Sequence, residues 1–447
     1  MTNLRTGLSR TTALTLSIAA LAAPALGQEG PGRQGVLSFS QGFEFSDNPG
    51  LITSPTGDSL ISRTAVDLTL SSETRSQSLS FSIGSEVVGD IFGETSDDFD
   101  LDNSRASVTY RREGANSEFS FSASFRDLDL DDEVFDTGSE FIIDTGSLET
   151  TRFRTELRTG IEGPFGLHLR AGHTKDDYTG TVDPDLVDQT NVSLDATASF
   201  RVQPDLSFRA IAGLSDTDED AGDETKDTYI GVGVQGETAG GLSYVSDLLF
   251  DRSETNGSVT EDGIGLEIGV VQARADGNIS IDLASRVDET GRRTSAEVGR
   301  SFDMPDGSLA FSLGVVDQEG DSDLHLIGGL NYSHETKRGN LTATLSQGAT
   351  TSGGAAVINT GLSLAYAEDI NAVSGWQARI SYFDNDELGS ADDDNRTSAS
   401  LAYSRELTKD WDLRAGLEHQ RISEAGSSDR SSNTVFFNFE RDITFGF

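Results

Sequence analysis

The chain has 447 residues, no cysteine, and 33 Lys+Arg against 75 Asp+Glu, a formal charge of −42. The acid excess argues against nucleic-acid binding, which needs a basic face to neutralise phosphates; the missing cysteine excludes disulfides, thiolate nucleophiles and Cys-based metal sites. Only 35% of the residues are hydrophobic, a composition that leans toward disorder, but 24 phenylalanines and 48 glycines argue for a folded chain.

The first predicted element is a leader. Arg5 and Arg10 form a basic n-region, and Thr12 to Ala23 an apolar h-region. Pro24-Ala25-Leu26-Gly27 places small residues where a signal peptidase reads, so residues 1–27 are expected to be a secretory signal peptide cut before Gln28. No later apolar stretch approaches the ~18 residues that a transmembrane helix needs.

From about residue 35 onward the chain alternates with period two. Phe119, Phe121, Ala123 and Phe125 interleave with Ser120, Ser122, Ser124 and Arg126; Val192, Leu194, Ala196, Ala198, Phe200 and Val202 interleave with polar partners. This is the pattern of strands with one apolar and one polar face. About 22 such segments of roughly ten residues follow one another, the length of a tilted strand crossing a bilayer. Short connections (Gln203-Pro204, Met304-Pro305-Asp306-Gly307, Lys337-Arg338-Gly339) alternate with longer, often acidic ones such as Asp127 to Gly146, Asp216 to Asp227 and Asp384 to Asn395. The expected fold is therefore all-β: residues 28–447 form a single antiparallel up-and-down transmembrane barrel of about 22 strands, within a range of about 18–24. Strand one opens close to the expected mature terminus, leaving no room for an N-terminal plug domain.

The polar faces carry charge. Arg105, Arg111, Arg126, Arg152, Arg154, Glu156, Arg158, Arg170, Arg201 and Arg209 fall on the polar faces of the fourth to ninth segments, and Asp247, Glu267, Asp282 and Glu297 on those of later ones. The expectation is a basic wall facing an acidic wall across a lumen, as charge ladders do in selective pores; mutual pairing of these charges from strand to strand is an equal and compatible reading. The five histidines form no catalytic arrangement: His168 and His173 fall on opposite faces of one strand, and no His-x-Ser pair occurs. No enzyme and no cofactor are expected. Asp216, Asp218 and Asp220 resemble the start of a calcium loop, but Ala221 stands where the turn glycine belongs; solvated acidic loops, which could also be bridged by divalent ions to lipopolysaccharide, are the favoured reading.

The last segment reads Asn433 to Phe447, with Val435, Phe437, Phe439, Ile443, Phe445 and Phe447 at alternate positions and Arg441 breaking the series. Here the sequence resembles Gram-negative outer-membrane β-barrel proteins, whose last strand ends in Phe. The resemblance implies an outer-membrane location and recognition of Phe439, Ile443, Phe445 and Phe447 by the barrel-assembly machinery; Arg441 implies a rim position or a bulge. Phe43-Glu44-Phe45-Ser46-Asp47-Asn48-Pro49-Gly50 resembles the opening of β-barrel porins of exopolysaccharide loci. The expected function is a porin-like channel for small hydrophilic solutes, with polysaccharide export or anchoring, and a closed structural or adhesive barrel, as alternatives. The expected surroundings are outer-membrane lipid and lipopolysaccharide; the oligomeric state is left open.

Overall fold

A strand with one apolar and one polar face has to hide the apolar face from water and pair both edges, and a closed barrel in lipid does both at once. The computed structural model takes that form. It describes residues 32–447 except 56, 93–98, 131–134, 137–140, 143–145, 182–185, 221, 223, 353–354, 388–392 and 424–427. The expected signal peptide lies outside the described residues.

Twenty-four strands follow in chain order, and no helix occurs among the described residues: β1 Arg33–Ser46, β2 Ser59–Thr74, β3 Gln77–Phe92, β4 Phe99–Glu113, β5 Ser117–Asp129, β6 Phe135–Asp136, β7 Phe141–Ile142, β8 Ser147–Thr159, β9 Phe165–Thr179, β10 Gln189–Gln203, β11 Leu206–Glu219 and β12 Glu224–Glu237 form the first half. The second comprises β13 Leu242–Thr255, β14 Ser258–Arg274, β15 Gly277–Asp288, β16 Gly291–Met304, β17 Gly307–Gln318, β18 Leu324–Glu335, β19 Gly339–Ser352, β20 Ala355–Asn371, β21 Ser374–Glu387, β22 Asp393–Thr408, β23 Trp411–Ser423 and β24 Arg430–Phe445. Each strand of one 22-stranded sheet pairs antiparallel with its successor, and β6 and β7 form a separate hairpin between β5 and β8. The circle closes where β1 meets β24, from Gly35 opposite Phe445 to Ser46 opposite Thr434.

Alternation sorts the side chains. In β13, Asp247, Leu249, Asp251 and Ser253 are buried, while Leu248, Phe250 and Arg252 between them are exposed. The same parity puts Ile230, Val232, Ile264, Leu266, Val298 and Leu313 on the outer face. Among the described residues there is no central apolar core, because the interior of a wide barrel is the polar face. One small apolar cluster, Leu130 and Leu148 with Tyr178 and Leu186 packed on it, sits at the end away from the termini.

The connections depart from the expected strict alternation of short and long. At the end carrying the termini, the turns run from two residues (75–76) to five (160–164). At the other end the first loops are long, but β13–β14 and β15–β16 are joined by two-residue turns, 256–257 and 289–290. The acidic stretch from Asp216 to Asp227 is mostly strand, since the ladder continues with Asp216 opposite Lys226 and Asp218 opposite Glu224. Asp384 to Asn395 is likewise shortened to residues 388–392. Polar residues at strand ends need no lipid to pair, so strands can run on past the apolar band. Asp216 and Asp218 thus belong to the β11 ladder and Asp220 follows it, so the three do not share one loop as the start of a calcium loop would.

Candidate functional site

The barrel's distinctive chemistry is on its inner face. On the acidic side it is built around Arg286 of β15. Its Nε donates to both carboxylate oxygens of Asp251 at 3.1 Å, Nη2 reaches Asp251 Oδ1 at 2.9 Å, and Nη1 donates to Glu267 Oε1 at 2.6 Å. The guanidinium stacks 5.0 Å from the centre of the Tyr229 ring, and the Tyr229 hydroxyl donates to Asp195 at 2.5 Å. This chain of contacts crosses β10 to β15. It fits because the neighbours are small: a Cβ on Gly213 would lie 2.3 Å from the Tyr229 ring. Below it, Arg209 Nη2 reaches Asp247 Oδ2 at 3.0 Å and Nη1 reaches Gln235. Asp247 and Asp251 are only 3% and 2% exposed, so their partners decide whether they can stay ionised there.

Two carboxylate pairs face each other directly across strands, Asp247 with Glu267 and Asp282 with Glu297. Arg209 and Arg286 are the cations bonded to this sector, which leaves it acidic. The basic sector lies on β5, β8 and β9. Arg126, Arg152, Arg154, Arg158 and Arg170 occupy its inner face, opposite in parity to the exposed Phe125, Phe153 and Phe165. Glu156 is bonded by Arg158 at 2.6 Å and by His168 at 2.7 Å, with Arg170 Nε at 3.9 Å. Arg152 and Arg154 have no hydrogen-bond or ion-pair partner among the described residues. Their cross-strand neighbours are Ser124 and Ser122 on one side, Thr174 and Gly172 on the other.

The remaining sequence-derived positions divide. Arg105 is neutralised by Asp67, with bonds of 2.9 and 2.6 Å. Arg111 pairs with Glu113 and Glu118. Arg201 sits at the terminal end and donates to the carbonyls of Ile161 and Glu162. The expected opposition of the two walls does not occur. Three strands, β10 to β12, separate β9 from β13, so the basic and acidic sectors are neighbours around the circumference. Half the barrel away from β8 and β9 stand β19 and β20, whose inner faces carry Thr342, Thr344, Ser346 and Ser363. Linear order along the chain becomes angular order in a meander, which makes consecutive charge blocks adjacent rather than facing.

Asp67, Asp195, Tyr229, Asp251 and Arg286 were not singled out from sequence. Asp251 shares its parity with Asp247, and Arg286 with Asp282, so the alternation alone could have found both. Tyr229 is hidden by looking like an apolar outward residue. His168 is on the inner face with Glu156, while His173 stacks against Phe153 on the outer face, ring centres 5.9 Å apart.

Arg441 marks no bulge, and it stands four residues before the end of β24 at Phe445. The ladders of β24 with β1 and with β23 run without a register shift, and Arg441 stays on the outer face with its guanidinium 5.7 Å from the Trp411 ring centre. Phe439, Ile443 and Phe445 share that face, and Phe447 follows the strand, exposed. The segment Phe43 to Gly50 forms the top of the β1–β24 seam: Asp47 accepts from the backbone and side chain of Asn433, and Asn48 Nδ2 donates to the carbonyls of Ile52 and Ser431.

The fold is that of outer-membrane β-barrel proteins. Among solved structures the chain is similar to a mutant of the ferric enterobactin receptor PfeA from Pseudomonas aeruginosa in complex with enterobactin, with TM-score 0.57 and 11% identity, covering 93% of this chain and 82% of that one. It is similar to the siderophore receptor PirA of the same organism, with TM-score 0.56, 9% identity and coverage of 93% and 81%. The ferric-catecholate import receptor Fiu from E. coli gives 0.57, 10%, 91% and 81%. No family model and no curated protein sequence matches the chain.

Proposed function

We propose that the chain is an outer-membrane transport barrel whose lumen passes small hydrophilic solutes passively. The observation that carries the reading is the inner face: a closed sheet of 22 strands lined by guanidinium, carboxylate and hydroxyl groups rather than by apolar side chains. A barrel of this strand number encloses more width than its own side chains fill, and charged lining sets which solutes enter. The structural likeness to siderophore and ferric-catecholate receptors supports transport across the outer membrane as the setting.

Export is read from the leader expected at residues 1–27, and insertion from the apolar outer face together with the terminal strand, which ends at Phe445 two residues before Phe447. Liposome swelling tests the reading: vesicles carrying the refolded chain should swell in isotonic solutions of small sugars and amino acids, and vesicles that stay unswollen would contradict it. A ferric-siderophore receptor, the second reading, draws on the same structural neighbours; saturable tight binding of a ferric catecholate, without swelling, would favour it.

A further inference from the structure

We propose that the outer face of the β22–β24–β1 seam, at the end carrying the termini, is a site for the phosphate of an anionic phospholipid. It goes beyond the transport reading and shares with it only the assumption that the barrel sits in a membrane. Three cations, Arg441, Arg405 and Lys409, lie on or beside that surface. Arg441 shares the outward parity of the exposed Phe437, Ile443 and Phe445. Its guanidinium lies over the Trp411 ring, and Phe39 packs edge-on to the same ring with centres 6.4 Å apart. Arg441 Nε is shielded from solvent and bonds to nothing. Trp411 opens β23 directly after the two-residue turn 409–410, which contains Lys409. Arg405 faces Leu413, whose other neighbour is Phe439, so it shares this surface. None of Arg405, Lys409 and Arg441 has a hydrogen-bond or ion-pair partner among the described residues.

The neighbouring carboxylates do not answer that charge. Asp412 and Glu440 face each other on the inner side, and Asp442 accepts from Ser38 on the same side. Asp410 in the turn is the one acid beside Lys409, and no bond joins them. The contrast is Arg300, an outer-face arginine over Phe302 at 4.3 Å, which Asp276 neutralises at 2.6 Å. An uncompensated arginine on a lipid-facing surface is costly unless it reaches the headgroup layer. Arg441 lies over Trp411, the first residue of β23 after the turn; an arginine this near a strand end can snorkel to the headgroup layer, and tryptophan itself favours that layer. What the layer offers in return is the phosphodiester of an acidic lipid, attracted by each basic residue near the surface.

The test uses the full chain refolded in detergent and native mass spectrometry with phosphatidylglycerol and, separately, phosphatidylcholine. The expected result is retention of phosphatidylglycerol over phosphatidylcholine, weakened roughly fivefold by Arg441→Gln and abolished when Arg405→Gln and Lys409→Gln are added. Arg300→Gln should change nothing. Heat-modifiable migration on gels checks that each variant has closed; should Arg441→Gln fail to close, the exposed Arg405→Gln, Lys409→Gln pair carries the test alone. Equal retention of both lipids, or undiminished preference in the triple variant, would overturn the proposal. So would equal affinity for soluble glycerophosphoglycerol, which would make it a free-anion site. A barrel that inserts into vesicles without lipid preference defeats this proposal alone, whereas failure to insert at all defeats the outer-membrane reading with it.

Discussion

Arg154 is a guanidinium on the inner face with serine and glycine beside it and no carboxylate in reach. That makes its charge available to a passing ion, unlike that of Arg105 or Arg286, which is taken up by Asp67 or by Asp251 and Glu267. A unit charge in water at about 7 Å is worth about 0.6 kcal/mol, roughly a threefold effect on occupancy. Arg154→Gln should therefore shift the cation-to-anion permeability ratio toward cations by about that factor, read as a reversal potential in a salt gradient. An unchanged potential would mean that permeating ions do not pass β8. A second residue-scale device is the turn 319–323. His325 bonds Asp321 at 2.6 Å, and this bond, with the backbone N–H of Asp323 donating to the same carboxylate, holds the Asp321 carboxyl below the usual aspartate range. A carboxyl depressed in the folded state contributes stability above its unfolded value, which is lost as pH falls through the folded one. The protection of the Asp323 amide, relative to its intrinsic exchange rate, should thus fall only once the pH drops below about 4, and a loss of protection beginning near neutrality would contradict the assignment.

At the scale of elements, closure rests on the β1–β24 seam. Phe445 lies across Gly35 so closely that a Cβ there would be 2.3 Å from its ring. Gly35→Leu should push the last strand off its partner and yield a chain that no longer migrates as a heat-modifiable species; normal migration would show that the ring simply rotates aside. Strand number and order were legible because period-two alternation is written residue by residue. The first strand was expected near residue 35 and starts at Arg33; the last was expected from Asn433 and starts at Arg430. Strand ends were not legible. Asp216 to Glu219 looks like loop by composition, yet backbone pairing continues through it because exposed carboxylates do not oppose a ladder outside lipid. The bulge offered for Arg441 fails for the converse reason: an arginine on the apolar face seems to demand a break in register, but Trp411 gives its guanidinium a surface to lie on. The inner-face charges could be assigned to a face, but not to partners, because Arg286 meets Asp251 two strands away rather than on its cross-strand neighbours.

At the scale of the whole molecule, the charge of −42 separates by location. Acidic residues crowd the strand ends and loops away from the termini, while arginines concentrate on the inner face of β4 to β11. The sheet thereby wraps a charged interior in an apolar exterior, with basic and acidic sectors side by side and a hydroxyl-lined arc across from the basic one. Such an interior can carry water and solutes only if it is open from end to end. Single-channel recording in a planar bilayer tests that most directly. The account predicts discrete, long-lived conductance steps from the purified, refolded full chain, with a selectivity that moves when Arg154 loses its charge. A correctly closed and inserted barrel that gives no steps would contradict it.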